Sequence, residues 1–186
     1  EDRHKNTVQY LWSELEKNGD IKLFTWKDPE GKAAFWHSSA HVLAQSILSL
    51  YPKAKLTIGP SIENGFYYDV DFGDYSFTEK DLIPLEKQFL SYAREKFEFK
   101  MRMCSKSDAV KYYKKEKNPF KLELIENLKD GEISFCDHAD FTDLCKGGHI
   151  PNTGYIKAVK LLNVAGAYWR GDESKKQLTR IYGISF

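Results

Sequence analysis

Cysteine is scarce in this chain, with three residues at wide spacing among 186. An odd and dispersed set does not suit a disulfide framework, so a reducing, cytoplasmic compartment is favoured. No apolar run approaches the ~20 residues that a membrane-spanning helix needs. The first ten residues, EDRHKNTVQY, carry no apolar segment of the secretory kind. Because they also lack an initiator Met, we expect an excised piece of a longer protein.

Net charge is also nearly absent, at +1, but the charges are segregated along the chain. Residues 94–117 hold nine Lys and Arg against four Asp and Glu, and residues 157–180 hold six against two. Two basic stretches in a nearly neutral protein fit a polyanionic partner such as RNA. They also fit a solvated, lysine-rich surface, which these stretches alone favour.

The order of apolar and turn-forming residues predicts an α+β fold, an antiparallel β-sheet packed with helices. Apolar residues recur at helical spacing from His37 to Tyr51, and Asn64-Gly65 is a strong hairpin signal. Further strands are predicted in FEFKMRM, EISFCDHADFTDLC and the two C-terminal segments, with helices after Thr78, Ser107 and Asn118. Before these, DIKLFTW and KAAFW flank the turn-like DPEG and predict a hairpin.

Two histidines four residues apart stand in HSSAH, residues 37–41. On a helix, His37 and His41 share one face, at the edge of the apolar stripe, so they should face a cleft. The intervening residues are small and leave room for a ligand. Three explanations are open: a metal site, a catalytic pair, or two partly buried rings bound to backbone carbonyls.

A second pair, Cys145 and His149, lies in the glycine-rich DLCKGGHIPNTG, residues 143–154. Together the pairs would form a His₃Cys set, which suits tetrahedral zinc. The same side chains move protons and attack carbonyls near neutral pH, so the set also suits a water-activating or nucleophilic site. The zinc-protease motif His-Glu-x-x-His is excluded because position 38 is Ser.

Four stretches carry a family resemblance: HSSAH, IGPSIENGFYYDV, DLCKGGH and AGAYWRGDESKKQLTRIYGISF. Together, in order, they resemble the editing region of bacterial- or eukaryotic-type threonyl-tRNA synthetases, over about residues 32–186. Residues 1–36 look like the tail of a TGS-type domain and linker, and residues 37–186 like the editing domain. The chain stops where the family's aminoacylation core, with its ATP and zinc sites, would begin.

The resemblance implies hydrolysis of serine mischarged on tRNA(Thr), in a cleft whose residues can be placed in this sequence. It gives catalytic positions to His37, His41, Lys121, Cys145 and His149, with His37 the first choice for proton transfer. It gives substrate-binding positions to Tyr67, Tyr68 and Asp143, where the carboxylate would hold the serine ammonium or orient water. Cys145 would position water rather than act as a nucleophile.

The resemblance further implies an editing site that needs no cofactor, although zinc at the four-residue set is an alternative. The expected partner is the acceptor end of tRNA(Thr), with no membrane. We expect a monomer for this piece and a homodimer for the whole enzyme. Two rivals remain: a zinc-dependent alanyl-type editing domain and a non-catalytic zinc- or RNA-binding module. The loop reads CKGGH where many relatives have CRGPH, which removes a rigid Pro.

Overall fold

The computed structural model describes Gly19 and residues 24–186. The chain divides into a unit of residues 1–32 and a unit of residues 33–186. Most of the segment 1–36, predicted to be a TGS-like tail, lies outside the described residues, and that assignment stays a prediction. Among the described helices, none has the length and apolar character that crossing a membrane would take.

Helix α1, Pro29–Leu50, passes through the core, and its residues 38–47 are all buried. Three of these are serines, which are tolerated because each hydroxyl donates to the carbonyl one turn earlier: Ser38 to Ala34, Ser39 to Phe35 and Ser46 to Val42. The predicted helix from His37 is therefore confirmed, but it starts eight residues earlier than expected.

The predicted N-terminal hairpin is wrong, because its second half, KAAFW, belongs to α1. The Asp28 carboxylate accepts hydrogen bonds from the backbone N–H and the hydroxyl of Thr25, at 2.7 and 2.8 Å. Pro29 then opens the helix, where its fixed φ is favourable and its missing N–H has no cost. Asp-Pro-Glu-Gly thus starts a helix instead of turning between strands. Residues 20–23 of the predicted first strand lie outside the described part.

The described residues form eight β-strands, and every strand pairing is antiparallel. In chain order these are β1 (Lys55–Leu56), β2 (Ser61–Ile62), β3 (Gly65–Asp71), β4 (Lys100–Met103), β5 (Ser134–His138), β6 (Phe141–Leu144), β7 (Val159–Tyr168) and β8 (Gln177–Ser185). The first sheet has the order β1-β3-β8-β7, with β2 also on β3, and the second has the order β4-β5-β6. The predicted hairpin at Asn64-Gly65 is confirmed by the pairing of Ile62 with Gly65.

Three further α-helices in the described part of the chain complete the α+β fold, which confirms the predicted class: α2 (Leu82–Arg94), α3 (Lys106–Lys115) and α4 (Pro119–Glu126). Asn118 accepts a hydrogen bond from the N–H of Lys121 and so caps α4, while Ser105, not the predicted Ser107, caps α3. The main core joins buried side chains of α1, α2, β3, β7 and β8. A second core joins α3, α4 and β5.

Candidate active site

Helix α1 presents His37 and His41 on one face, one turn apart, as their spacing predicts. The two ring centroids are 4.8 Å apart with the rings nearly perpendicular. His41 is buried, whereas His37 is partly exposed. The pair therefore runs inward from a solvent-accessible mouth at His37.

The loop after β6 brings Cys145 and His149 against this pair. The Cys145 Sγ lies 3.1 Å from His37 Nε2 and 3.2 Å from His149 Nε2. The four potential donor atoms of His37, His41, Cys145 and His149 all lie within 4.8 Å of one another. The two pairs thus form one cluster, which we call the His₃Cys cluster.

Neighbours hold His149 in place. Its ring stacks on His37, with centroids 4.7 Å apart, and on Phe99 at 5.0 Å. Its Nδ1 is 3.2 Å from the Ser38 hydroxyl, which also accepts from the N–H of Ile150 at 3.0 Å. Ser38, the small residue beside His37 in HSSAH, is therefore part of the scaffold of the site.

The loop geometry explains the second glycine of CKGGH. Gly147 and Gly148 have φ of 99° and 83°, in the left-handed region that favours glycine. Proline fixes φ near −65° and cannot adopt the conformation of Gly148. The backbone N–H of Gly147 donates to Cys145 Sγ at 3.3 Å, so the loop also orients the thiol.

A buried ion pair lies beside the cluster. Lys121 Nζ on α4 is 2.6 Å from Asp143 Oδ1 on β6, and each side chain is at most 5% exposed. Asp143 also accepts hydrogen bonds from the hydroxyls of Tyr68, at 2.8 Å, and Tyr113, at 3.2 Å. With these donors Asp143 is fully engaged by the protein, so the carboxylate orients Lys121 rather than facing solvent.

Burial keeps the cluster neutral near pH 7. Desolvation lowers the pKa of His37, lowers that of His41 well below 6.5, and lowers that of His149 to about 3. It raises the pKa of the Cys145 thiol to about 11. A hydrogen bond to the Gly59 backbone opposes the shift at His37. The formal charges of the site are therefore those of Lys121 and Asp143.

The His₃Cys cluster could hold a metal ion. Three imidazole nitrogens and one sulfur are donors that zinc prefers, and their convergence satisfies the chemistry of a four-coordinate site. Binding would require the loss of the Cys145 proton, because a thiolate is the ligand form of cysteine.

The eight residues singled out from the sequence separate into two groups. Seven of them meet around the cluster and the ion pair: His37, His41, Tyr68, Lys121, Asp143, Cys145 and His149. Tyr67 does not, because successive residues of β3 face opposite sides of the sheet. The guanidinium of Arg180 lies 3.9 Å from the centre of the Tyr67 ring, and that ring is 5.8 Å from Tyr182.

Sequence reasoning missed His138, at the end of β5. This ring is 1% exposed and lies 6.4 Å from the ring of His41, centroid to centroid. The chain has five histidines, and four of them gather here. The clue in the sequence was His138 itself, seven residues before Cys145 on a predicted strand.

Comparison with known proteins shows which class of protein this α+β fold and its histidine-rich site resemble. Residues 133–182 match the family model described as the threonyl and alanyl tRNA synthetase second additional domain. The matched segment contains β5, β6, the Cys145 loop and most of β8. This segment of the chain is therefore similar to that domain.

The particular relatives are threonine–tRNA ligases. The chain is 59% identical over 181 residues to the one from Flavobacterium psychrophilum, covering 97% of this chain and 28% of that protein. It is 61% identical over 172 residues to the one from Flavobacterium johnsoniae, covering 92% and 26%. The chain spans about a quarter of the length of these relatives. The resemblance to the editing region of threonyl-tRNA synthetases is confirmed.

Proposed function

We propose that the chain is the editing part of a threonyl-tRNA synthetase and hydrolyses serine from mischarged tRNA(Thr). The observation that carries the proposal is the His₃Cys cluster beside the buried Lys121–Asp143 pair, in a chain similar to threonine–tRNA ligases. Serine differs from threonine by one methyl group, and a missing methyl gives only about 1–3 kcal/mol of discrimination in binding. A second site that removes the smaller amino acid supplies the missing fidelity.

His37 is the proton-transfer group in this proposal. It is neutral near pH 7, lies at the mouth of the cluster, and is oriented by the Gly59 backbone. A water oxygen attacks the ester carbonyl carbon and its proton passes to His37, directly or through a ribose hydroxyl. The ester C–O bond then breaks, and the ribose oxygen takes the proton back as serine leaves.

Lys121 supplies the positive charge that the developing oxyanion needs. A cation held by an ion pair in a buried site needs little reorganisation during the reaction, which is the main source of electrostatic catalysis. Asp143 and Tyr68 position Lys121, so we assign Asp143 to this task rather than to binding the serine ammonium. Tyr67 lies on the other face of β3, so we assign it only a contact to the RNA.

Cys145 positions the attacking water in this proposal. Its thiol keeps its proton near neutral pH because its pKa is about 11, so it is a poor nucleophile. A zinc ion, if held by His37, His41, Cys145 and His149, would supply Lewis-acid polarisation of the ester carbonyl. We propose that the chain's own residues suffice and that no cofactor is needed.

Deacylation tests the proposal directly. We expect the chain to hydrolyse Ser-tRNA(Thr) and spare Thr-tRNA(Thr), with rates unchanged by a zinc chelator. His37→Ala and Lys121→Met should each lower the rate by roughly 100-fold or more. Lys87→Met, at an exposed lysine of α2 outside both basic stretches, is the matched control and should keep full activity.

Other outcomes separate the rivals. Equal hydrolysis of both esters, or full activity in His37→Ala, would contradict the proposal. Loss of activity with chelator would favour the zinc-dependent alanyl-type reaction, and a preference for mischarged tRNA(Ala) would confirm that assignment. Zinc bound without hydrolysis would favour the RNA-binding module. In the same proposal, the chain binds the acceptor end of tRNA(Thr) and is a monomer. The whole enzyme is a dimer and is located in the cytoplasm.

A further inference from the structure

The buried polar side-chain atoms that lack a protein partner belong to three neighbouring side chains. Among the described residues these atoms are His41 Nδ1, Gln45 Oε1, and both ring nitrogens of His138. Gln45 follows His41 by one turn of α1, and its amide donates to Asp140, two residues after His138, at 3.2 Å. All three side chains are at most 3% exposed. They define one buried polar region between α1 and the β5–β6 hairpin, which we call the His138 region.

The His138 region supports two rings of the His₃Cys cluster. His138 lies edge-on to His41, with ring centroids 6.4 Å apart. Its other side contacts Phe99 at 4.9 Å, and Phe99 in turn stacks on His149 at 5.0 Å. A change at His138 therefore reaches the cluster by one direct contact and by one intermediate ring.

The energetics require a partner for these atoms. Burial lowers the pKa of His138 to about 4, so the ring is neutral near pH 7 and keeps one N–H donor and one acceptor. Each buried group without a hydrogen bond costs roughly 1–3 kcal/mol. Four such atoms together would remove a large share of the ~5–15 kcal/mol that stabilises a typical domain.

The Asp143 carboxylate does not serve as a hydrogen-bond partner for His41. Asp143 Oδ2 lies 3.9 Å from His41 Nδ1, beyond hydrogen-bond distance, and it already accepts from Tyr68. An internal water is the partner that suits the set. Folded proteins hold about one buried water per 27 residues, typically with three hydrogen bonds to otherwise unpaired polar groups.

We propose that His41, Gln45 and His138 bind an internal water molecule, and that His138 acts through it as a positioning residue for His41. Gln45 Oε1 can only accept, so it orients the water. The oriented water then fixes the tautomer of His41 and with it the protonation of Nε2, the other ring nitrogen. Partners of this second layer orient a site histidine without touching the substrate.

Two measurements on the wild-type chain test the water itself. A crystal structure should show a water within hydrogen-bond distance of both His41 Nδ1 and a ring nitrogen of His138. Long-range ¹⁵N–¹H spectra should show His41 as a single tautomer. An empty His138 region in good density, or a mixture of His41 tautomers, would overturn the proposal.

Variants test the positioning role. His138→Phe removes both ring nitrogens, and we expect loss of the water and a mixture of His41 tautomers; His138→Gln should restore the single tautomer. Phe141→Leu is the matched control. The Phe141 ring has no polar atoms and lies 6.3 Å from the ring of His41 and 5.0 Å from that of His138, centroid to centroid. An unchanged tautomer in His138→Phe, or the same change in Phe141→Leu, would refute positioning through water.

The kinetic measurement alone rests on the proposed hydrolysis. His138→Phe should lower kcat for Ser-tRNA(Thr) by about 10-fold or more while KM stays unchanged, and His138→Gln should recover most of it. Equal kcat in wild type and His138→Phe would overturn the positioning role. If the wild-type chain hydrolyses nothing, the proposed function fails, while the water and tautomer results still decide this inference.

Discussion

The Cys145 thiol contacts imidazoles on two sides, His37 at 3.1 Å and His149 at 3.2 Å. In a catalytic Cys–His pair the proton moves to the imidazole and leaves a reactive thiolate. Here burial opposes both charged forms, since it raises the pKa of the thiol and lowers those of the rings. The pair is therefore neutral, which supports the proposed role of Cys145 as a positioned donor.

This neutrality predicts slow alkylation of Cys145. With a pKa of about 11, only ~0.1% of the thiol is ionised at pH 8, against roughly a quarter for an unperturbed cysteine. We expect iodoacetamide to modify Cys145 at least ~100-fold more slowly in the folded chain than in urea, measured peptide by peptide by mass spectrometry. Cys104, which is partly exposed, is the internal control and should react first. Rapid labelling of Cys145 would indicate a thiolate and reopen its role as nucleophile or metal ligand.

Sequence alone could predict those site residues whose signal is local. The spacing of His37 and His41 on one helix, and of Cys145 and His149 on one loop, survives in the structure because both pairs depend on short-range geometry. The Lys121–Asp143 pair joins residues 22 positions apart on a helix and a strand. No local pattern marks Lys121 as buried, so only the family resemblance indicated it. The one clue to His138 was its position on a predicted strand, seven residues before Cys145.

At the scale of elements, prediction succeeded where pattern and turn chemistry agreed. Strands β3, β7 and β8 and helices α2 and α4 lie where alternation, caps and helical spacing predict them. The hairpin before His37 failed because Asp-Pro-Glu-Gly suits both a turn and the first turn of a helix. Burial in the core decides between the turn and the helix, and the local sequence carries no information on that burial.

Helix α4 positions Lys121, so its cap should matter for function. Asn118 accepts from the Lys121 N–H at 3.1 Å, and its amide donates to the Leu56 carbonyl on β1 at 2.8 Å. We expect Asn118→Ala to lower the free energy of unfolding by about 2–3 kcal/mol, because a cap and a buried hydrogen bond are lost together. It should also slow deacylation, since Lys121 shifts with the helix.

The cap of α3 provides the matched control. Ser105 is exposed and accepts from the Asp108 N–H, without contact to the site. Ser105→Ala should cost only about 0.5–1 kcal/mol in urea unfolding and leave deacylation unchanged. Equal effects of the two substitutions on the rate would show that α4 does not position the site.

At the scale of the whole molecule, the site exists only in the folded chain. Its parts come from α1, β3, α4, β6 and the Cys145 loop, which are separated along the sequence and brought together by both sheets. The shifted pKa values depend on this assembly, because desolvation is their largest cause. Unfolding therefore returns each histidine to its ordinary pKa and couples stability to pH.

The direction of this coupling follows from the lowered pKa values of His138 and His149. His138 and His149 have folded pKa values of about 4 and about 3, against 6.5 when unfolded. Between pH 6.5 and 4 the unfolded chain binds more protons, so the free energy of unfolding falls as pH falls. Each histidine contributes about 2–3 kcal/mol of this loss by pH 4.5.

Carboxylates titrate in the same range, so a variant must isolate the histidine contribution. In His138→Phe one of the proton-binding rings is gone, and the slope of unfolding free energy against pH should decrease by up to ~1.4 kcal/mol per pH unit between pH 6 and 4.5. Urea unfolding of both chains at constant ionic strength measures this difference. Parallel slopes would mean that folding does not lower the pKa of His138.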